Sequence, residues 1–316
     1  MKVVDLFAGC GGMSLGFAKE GFEIVGSYDN WDKAIETYKK NMPEHYTVKI
    51  DLKDFLNEAH PEMVRLKEIN PDIIIGGPPC QDFSSAGKRK ASGKNGNLTP
   101  LFAQIVTILK PNWVVMENVN TIKSIGESQL KKVKELLKNA EYGISTMILN
   151  AADFGVPQNR KRFFLIAHKN GEDDEMIEHI NRQKKPIKSV REYFIEENLG
   201  MGELSHYYRH PRTYTRRAIF SIDEPSPTIR GVNRPVPETY KPHKRDTEKD
   251  AEKIRPLTSK ERAIIQTFPD DFEFVGGKSE VEQQIGNAVP PILAAAIAKA
   301  IKNFNKNIIY AYSSSP

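Results

Sequence analysis

Through residues 1–168, short apolar runs alternate with stretches of helical periodicity, a rhythm that few folds accommodate. Lys2–Phe7, Glu23–Tyr28, Tyr46–Ile50, Asp72–Gly76, Trp113–Glu117, Ile144–Asn150 and Arg162–His168 read as strands. Asp32–Asn41, Pro100–Leu109 and Ser128–Ala140 read as helices between them. Strands that alternate with helices predict βαβ units and an α/β fold, its mainly parallel sheet covered on both faces. Ligands of such sheets bind beyond the carboxyl ends of the strands. The rhythm stops after His168. Gly171–Glu178 is acidic and carries no chemistry that can be assigned. Lys184–Pro256 is rich in proline and weakly periodic, which predicts a smaller, irregular second domain. Helical patterns return at Thr258–Thr267 and Pro291–Phe304. The expected division is 1–168, 169–254 and 255–316, with the last segment packing back on the first.

Composition narrows the class. The chain has 316 residues, 39% hydrophobic and 28% charged, enough to bury a real core. The longest nearly unbroken apolar stretch, Ala288–Ala298, holds two prolines and is far shorter than the roughly 20 residues of a membrane span. No apolar leader follows Met1, so a cytoplasmic protein with no membrane partner is expected. Two cysteines, Cys10 and Cys80, are too few for a zinc ribbon or a disulfide framework, and no metal site is expected. Net charge is +5, but His206–Arg245 alone carries nine Lys/Arg against three acids, with five aromatic rings interleaved. That pattern suits a polyanion such as nucleic acid, although a solvated basic face would look the same.

Candidate site residues gather at the strand ends. Asp5-Leu6-Phe7-Ala8-Gly9-Cys10-Gly11-Gly12 closes the first strand and opens a helix, and its glycines permit a sharp turn and close ligand approach. Gly9 and Gly11 fit the first two places of a dinucleotide fingerprint, but Ser14 stands where its last glycine belongs. After the second strand come Asp29, Asn30 and Trp31, suited to ribose hydroxyls and to stacking on a purine. After the third comes Asp51, suited to an exocyclic amine. Helix capping would also explain Asp29 and Asp51, but the order of features along three successive strand ends favours a nucleoside site. After the fourth strand, Gly76-Gly77-Pro78-Pro79-Cys80-Gln81 holds a thiol between rigid flanks. Most lone cysteines are buried hydrophobes, but this loop position favours a nucleophile. Glu117 leaves the apolar run Trp113-Val114-Val115 directly into the same region, where desolvation can keep a carboxyl protonated near neutral pH. The acid-free loop Ser84–Asn97, with Lys88, Arg89, Lys90 and Lys94, reads as a lid for a phosphate-bearing substrate or as a plain surface loop.

As an ordered set, DLFAGCGG at 5–12, GGPPCQDFS at 76–84, ENV at 117–119, QNRKR at 158–162, RPLTSKERAIIQTFPDDF at 255–272 and QIGNAVPP at 284–291 resemble the cytosine-C5 DNA methyltransferase family of restriction–modification type. The matching blocks leave only about 169–254 uncovered. The resemblance implies a Rossmann-like S-adenosylmethionine-dependent methyltransferase sheet with a target-recognition domain. It implies that Phe7, Gly9, Gly12, Leu52, Pro79 and Asn287 line the cofactor, that Trp31 lies on its adenine, and that Asp51 takes the adenine amine. Asn30 stands where well-known members carry a ribose-binding carboxylate, leaving Asp29 or Asn30 for that contact. Cys80 would add to C6 of a flipped cytosine while Glu117 acts at N3. Arg162 would contact the base carbonyl region, and Arg160 would anchor loop or backbone. Ser84, Lys88, Arg89, Thr228, Arg230, Asn233 and Arg234 are the expected DNA contacts, with Arg230 and Arg234 able to read guanine. Double-stranded DNA is the implied partner, with nucleoid association through it, a monomeric enzyme, and a separately acting restriction endonuclease in the cell. Three readings compete. A tRNA methyltransferase of the same superfamily usually carries a Cys-Phe-Thr element, absent here. A catalytically silent relative should lack Cys80 or Glu117. A nicotinamide dehydrogenase would explain the glycine loop alone.

Overall fold

The computed structural model describes residues 1–79, 98–200, 204–211, 213, 216–248 and 254–313, with side chains to residue 306. In chain order its elements are β1 (Lys2–Leu6), α1 (Gly12–Lys19), β2 (Glu23–Asp29), α2 (Asp32–Asn41), β3 (Thr47–Lys49), α3 (Pro61–Ile69), β4 (Ile73–Gly76), α4 (Leu98–Leu109), β5 (Trp113–Val119), α5 (Glu127–Asn139) and β6 (Tyr142–Asn150). There follow β7 (Gln158–Asn159), β8 (Lys161–Lys169), α6 (Met176–Asn181), α7 (Val190–Glu196), β9 (His206–Tyr208), β10 (Ile219–Ser221), β11 (Ser226–Pro227), α8 (Ser259–Ile265), α9 (Lys278–Asn287) and α10 (Pro291–Ser313).

Seven strands pair in the order β3-β2-β1-β4-β5-β8-β6. β3 to β5 are parallel, and β8 is antiparallel to both β5 and β6. The order reverses at β1, so the ends of β1, β2 and β4 open onto a crevice, the usual ligand position in this architecture. The antiparallel insertion was not foreseen. β6 and β8 are joined by a short connection rather than a helical crossover, and such a connection returns the chain antiparallel.

Alternation along the strands sends successive residues to opposite faces. Val4, Leu6, Ile74, Val114 and Met116 pack against Leu66, Phe102 and Val133 from α3, α4 and α5. Val3, Ile73, Ile75 and Val115 pack on the other face against Phe17, Met176, Leu293, Ala294 and Ile297 from α1, α6 and α10. The segment Lys278–Lys306 contains an apolar window of mean hydropathy 1.2, of which 67% is buried within the protein, in keeping with a core helix. A third core joins Val190, Phe194, Tyr207, Ile222 and Ile229 to Leu257, Ile264, Ile265, Phe268 and Ile285, with Cys10 among them. Thus α10 packs on the sheet, while α8 and α9 share a core with the proline-rich region.

That region is not wholly irregular: β9 and β10 form an antiparallel pair, and Ser189 with Glu192 closes a capping box on α7. The acidic stretch 171–178 is structural. Asp173 accepts from the Ile144 amide at 2.7 Å, and Glu175 pairs with His168 at 2.7 Å.

Candidate active site

The glycine loop is shaped by one carboxylate. Asp29, ending β2, accepts from the Gly9 amide (2.8 Å) with one oxygen and from the Trp31 amide (2.9 Å) with the other. Both oxygens are therefore committed to holding the loop and the turn after β2, while Asn30 beside them is exposed. Gly9 has φ +56°, and a Cβ there would meet nothing within 4 Å, so open space lies above it. Phe7 is also left-handed, at φ 62°, a strained conformation for an aromatic residue. Gly12 serves packing: a Cβ would overlap the Val289 carbonyl, so its absence lets the turn after α9 approach α1 and leaves Asn287 exposed nearby. Asp51 is exposed, with one oxygen capping the turn Leu52–Leu56 through the Lys53 amide (3.1 Å), and Leu52 is buried.

Beneath the loop lies a buried polar chain that the sequence reading did not single out. Asp5, 1% exposed, accepts from Ser14 Oγ at 2.6 Å. Tyr38 hydroxyl meets Ser27 Oγ at 2.6 Å and His45 Nδ1 at 3.0 Å. Burial, helped by the like charge of Asp29, pushes the Asp5 carboxyl up to about 7 against the Ser14 hydrogen bond. Burial raises Asp29 as well, opposed by the amides of Trp31 and Gly9. The signals were an acid inside an apolar strand and a serine in the third glycine place. Burial likewise pushes the Cys10 thiol up to about 12, so it stays protonated at neutral pH.

At the end of β5, Glu117 pairs with Arg162 of β8, Oε1 to Nε at 3.0 Å; β5 and β8 run side by side there. Burial raises the Glu117 carboxyl, against the opposing pull of Arg162 and Arg160. Its other oxygen faces Gly77, where a Cβ would come within 3.3 Å. Asn118 Nδ2 donates to the Pro78 carbonyl at 3.2 Å, which ties the proline loop to the end of β5. Pro79 closes the described part of that loop; Cys80, Ser84, Lys88 and Arg89 lie outside the described residues.

Arg160 is fully buried and donates to the carbonyls of Ile229 and Gly286, both at 3.0 Å. Gln158 accepts from the Ile229 amide (2.8 Å) and donates to Gln266 (2.6 Å), which donates on to the Ala288 carbonyl (3.2 Å). β7 pairs with β11, and Thr228 Oγ1 donates to the Asn159 carbonyl (2.8 Å). Residues 226–230 are thereby fastened to the segment that leads into Arg162. Arg230 donates to the His210 carbonyl, Asn233 Nδ2 to the Leu257 carbonyl (2.7 Å), and Arg234 is exposed. Gln158 and Gln266 both lie inside quoted sequence blocks, but nothing local marked them as partners.

The geometry places a glycine-lined crevice, a buried carboxyl–guanidinium pair and a basic region on one edge of a seven-stranded sheet. Comparison with known proteins agrees. The profile of the C-5 cytosine-specific DNA methylase family matches residues 1–303. The chain is 48% identical to the type II methyltransferase M.HgiDI of Herpetosiphon aurantiacus over 309 residues, covering 96% of this chain and 95% of that protein. It is 50% identical to the type II methyltransferase M.HindV of Haemophilus influenzae over 313 residues, covering 98% and 99%. The fold matches the crystal structure of S. pombe Dnmt2 methyltransferase with a TM-score of 0.66, at 15% identity and over 96% and 99% of the two chains. The chain belongs to the C-5 cytosine-specific DNA methylase family. It is a DNA methyltransferase that modifies cytosine at C5.

Proposed function

We propose that the chain methylates C5 of one cytosine within a short recognised sequence of double-stranded DNA, using S-adenosylmethionine and a transient bond from Cys80 to C6. The observation that supports this most strongly is the buried Glu117–Arg162 pair, set where the Asn118–Pro78 bond fixes the stem of the cysteine loop. The open space over Gly9, the exposed Asn30 and Asp51, and the half-buried Trp31 fit a nucleoside-bearing cofactor. When bound, S-adenosylmethionine supplies an electrophilic methyl group on a sulfonium. Asp29 is committed to Gly9 and Trp31, so Asn30 would hold the ribose, and Asp51 and Trp31 would hold the adenine.

Cytosine C5 is a poor nucleophile until C6 is attacked. Cys80 thiolate bonds to C6, and the ring electrons pass toward C5 and N3. Glu117, whose hold on a proton is strengthened by burial against the pull of Arg162 and Arg160, donates to N3 as that charge develops. Arg162 holds Glu117 and reaches the carbonyl side of the base. C5 takes the methyl group as its bond to the donor sulfonium breaks, leaving a neutral thioether; removal of the C5 proton then restores the double bond and expels the Cys80 thiolate, and the N3 proton returns to Glu117. Extrusion of the base costs roughly a few kcal/mol. Contacts to the DNA backbone from Ser84, Lys88 and Arg89 and from the 206–245 region offset it. One flipped base needs one active site, so the enzyme acts as a monomer. Its type II methyltransferase relatives support a restriction–modification role; the enzyme then works in the cytoplasm beside a separately acting endonuclease.

Bisulfite sequencing of a plasmid that expresses the gene tests this reading. Protected cytosines confined to one short sequence are expected, and lost in Cys80→Ser. Scattered or absent protection contradicts it, as does equal methylation of tRNA.

A further inference from the structure

The loop Arg230–Arg234 is held from inside by a buried charge pair distinct from the Glu117–Arg162 pair. Arg262 of α8 and Glu282 of α9 are 3% and 2% exposed and pair with each other. Three further bonds from these two side chains are seen. Arg262 Nη2 donates to the Arg230 carbonyl. Glu282 Oε1 accepts from Asn233 Nδ2 at 3.2 Å and from Ser259 Oγ at 2.8 Å. Two of the three end on the loop. Asn233 Nδ2 is tied again to the Leu257 carbonyl at 2.7 Å. Between these anchors Gly231 rests against Gln283 and Gly286, where a Cβ on Gly286 would overlap the Gly231 nitrogen. The loop is thus drawn inward at 230, 231 and 233. Val232, 55% exposed, and Arg234 face out. Arg262, Asn233 and Val232 also line a pocket with Tyr207, Arg209 and His210.

A buried ion pair is an inefficient way to stabilise a fold, since apolar residues of similar volume do as well or better; fixing one conformation is its better-attested use. Here the conformation fixed is that of an outward-facing loop in the basic region. We propose that Arg262 and Glu282 are specificity-setting positioning residues, which hold the loop so that Val232 and Arg234 meet base edges of the DNA. This rests on the reading of the 206–245 region as the target-recognising part. An apolar side chain suits a thymine methyl and a guanidinium suits guanine, so both are apt readers once their backbone is fixed.

The test uses the full-length enzyme, S-adenosylmethionine and a pool of duplexes that carries the methylated site and all its single-mismatch neighbours. Bisulfite sequencing gives the ratio of correct to neighbouring methylation. Thermal melting and donor binding by calorimetry are measured on the same samples. For Glu282→Gln, and for the double variant Arg262→Leu/Glu282→Leu, the ratio is expected to fall about tenfold, the discrimination carried by one base contact. Donor affinity should be unchanged, and the double variant should melt near the wild-type temperature. A double variant that folds and keeps wild-type fidelity overturns the proposal. One that fails to fold does so too, because the pair would then be structural. If Arg234→Ala leaves both fidelity and DNA binding untouched, it is the reading of the region that fails, and the proposal with it.

Discussion

Two regions meet at the active edge of this protein, and they are built differently. Around Gly9 the chain is shaped by a single carboxylate, Asp29, that binds two backbone amides, one 20 residues away and one two residues away. Around Ile229 it is shaped by side chains: Gln158, Arg160 and Gln266 knit together segments up to 126 residues apart. The first region is a strand-end device whose parts lie close in sequence. The second is a joint that exists only once the whole chain has folded. The glycine-loop side thus rests on strands already fixed by the large sheet, whereas the region proposed to recognise the target is held by long-range polar contacts around the short β7–β11 pair. Each region should fail in its own way.

The largest effect is expected where the two regions meet. Glu117→Gln keeps the shape of the side chain but removes the acid proposed to serve N3. It should lower kcat for methyl transfer by about 10²–10⁴-fold while donor binding stays unchanged, read from single-turnover kinetics and calorimetry. A tenfold loss or less would remove Glu117 from proton transfer. Next comes the joint itself. Gln158→Leu leaves the Ile229 amide and the Gln266 side chain without their buried partner and should destabilise the protein by on the order of 3–4 kcal/mol in urea. The surviving folded enzyme should bind donor normally and DNA poorly. If both affinities fall together, the two regions are not separable.

The smallest effect probes the cofactor side by pH. Folded Asp5 titrates near 7, well above an ordinary carboxyl. Between those values the native state keeps a proton that the unfolded chain has released, so stability falls as pH rises and then levels above about 7. Asp5→Asn lacks this slope. Measured as wild type minus variant, stability should decline by about 2–3 kcal/mol from pH 5 to pH 8, read by denaturant unfolding at each pH. A flat difference would mean that Asp5 is already ionised at pH 5.

What was legible in the sequence follows the same division. Helix α2 lies at Asp32–Asn41 as its periodicity predicts, and the strand positions agree to within two residues at either end. The order in which strands pair was hidden. Nothing local in Lys161–Lys169 says that β8 runs antiparallel between β5 and β6. Four helices passed unread, among them the short α6, which begins within the acidic stretch. α7 offered a signal in Ser189 with Glu192, and α3 had Pro61 at its start, but α9 has a charged, weakly apolar sequence whose burial comes from neighbours distant in the chain. Glu117 stood out because it ends an apolar run. Arg262 and Glu282 did not, since an isolated arginine and glutamate in a polar helix look solvated until the fold buries both. Asp29 was read correctly as a strand-end acid, yet its work of tying Gly9 to Trp31 shows only in three dimensions.

Cys80 is the proposed nucleophile on which the whole reaction depends, and trapping it is the most direct test. The enzyme is incubated with S-adenosylmethionine and a duplex whose target cytosine carries fluorine at C5, which cannot leave as a proton does. The expected result is a stable protein–DNA adduct that survives denaturation, mapped by peptide mass spectrometry to Cys80 and absent from Cys80→Ser. No adduct with the correct duplex, or an adduct at any other residue, would contradict it.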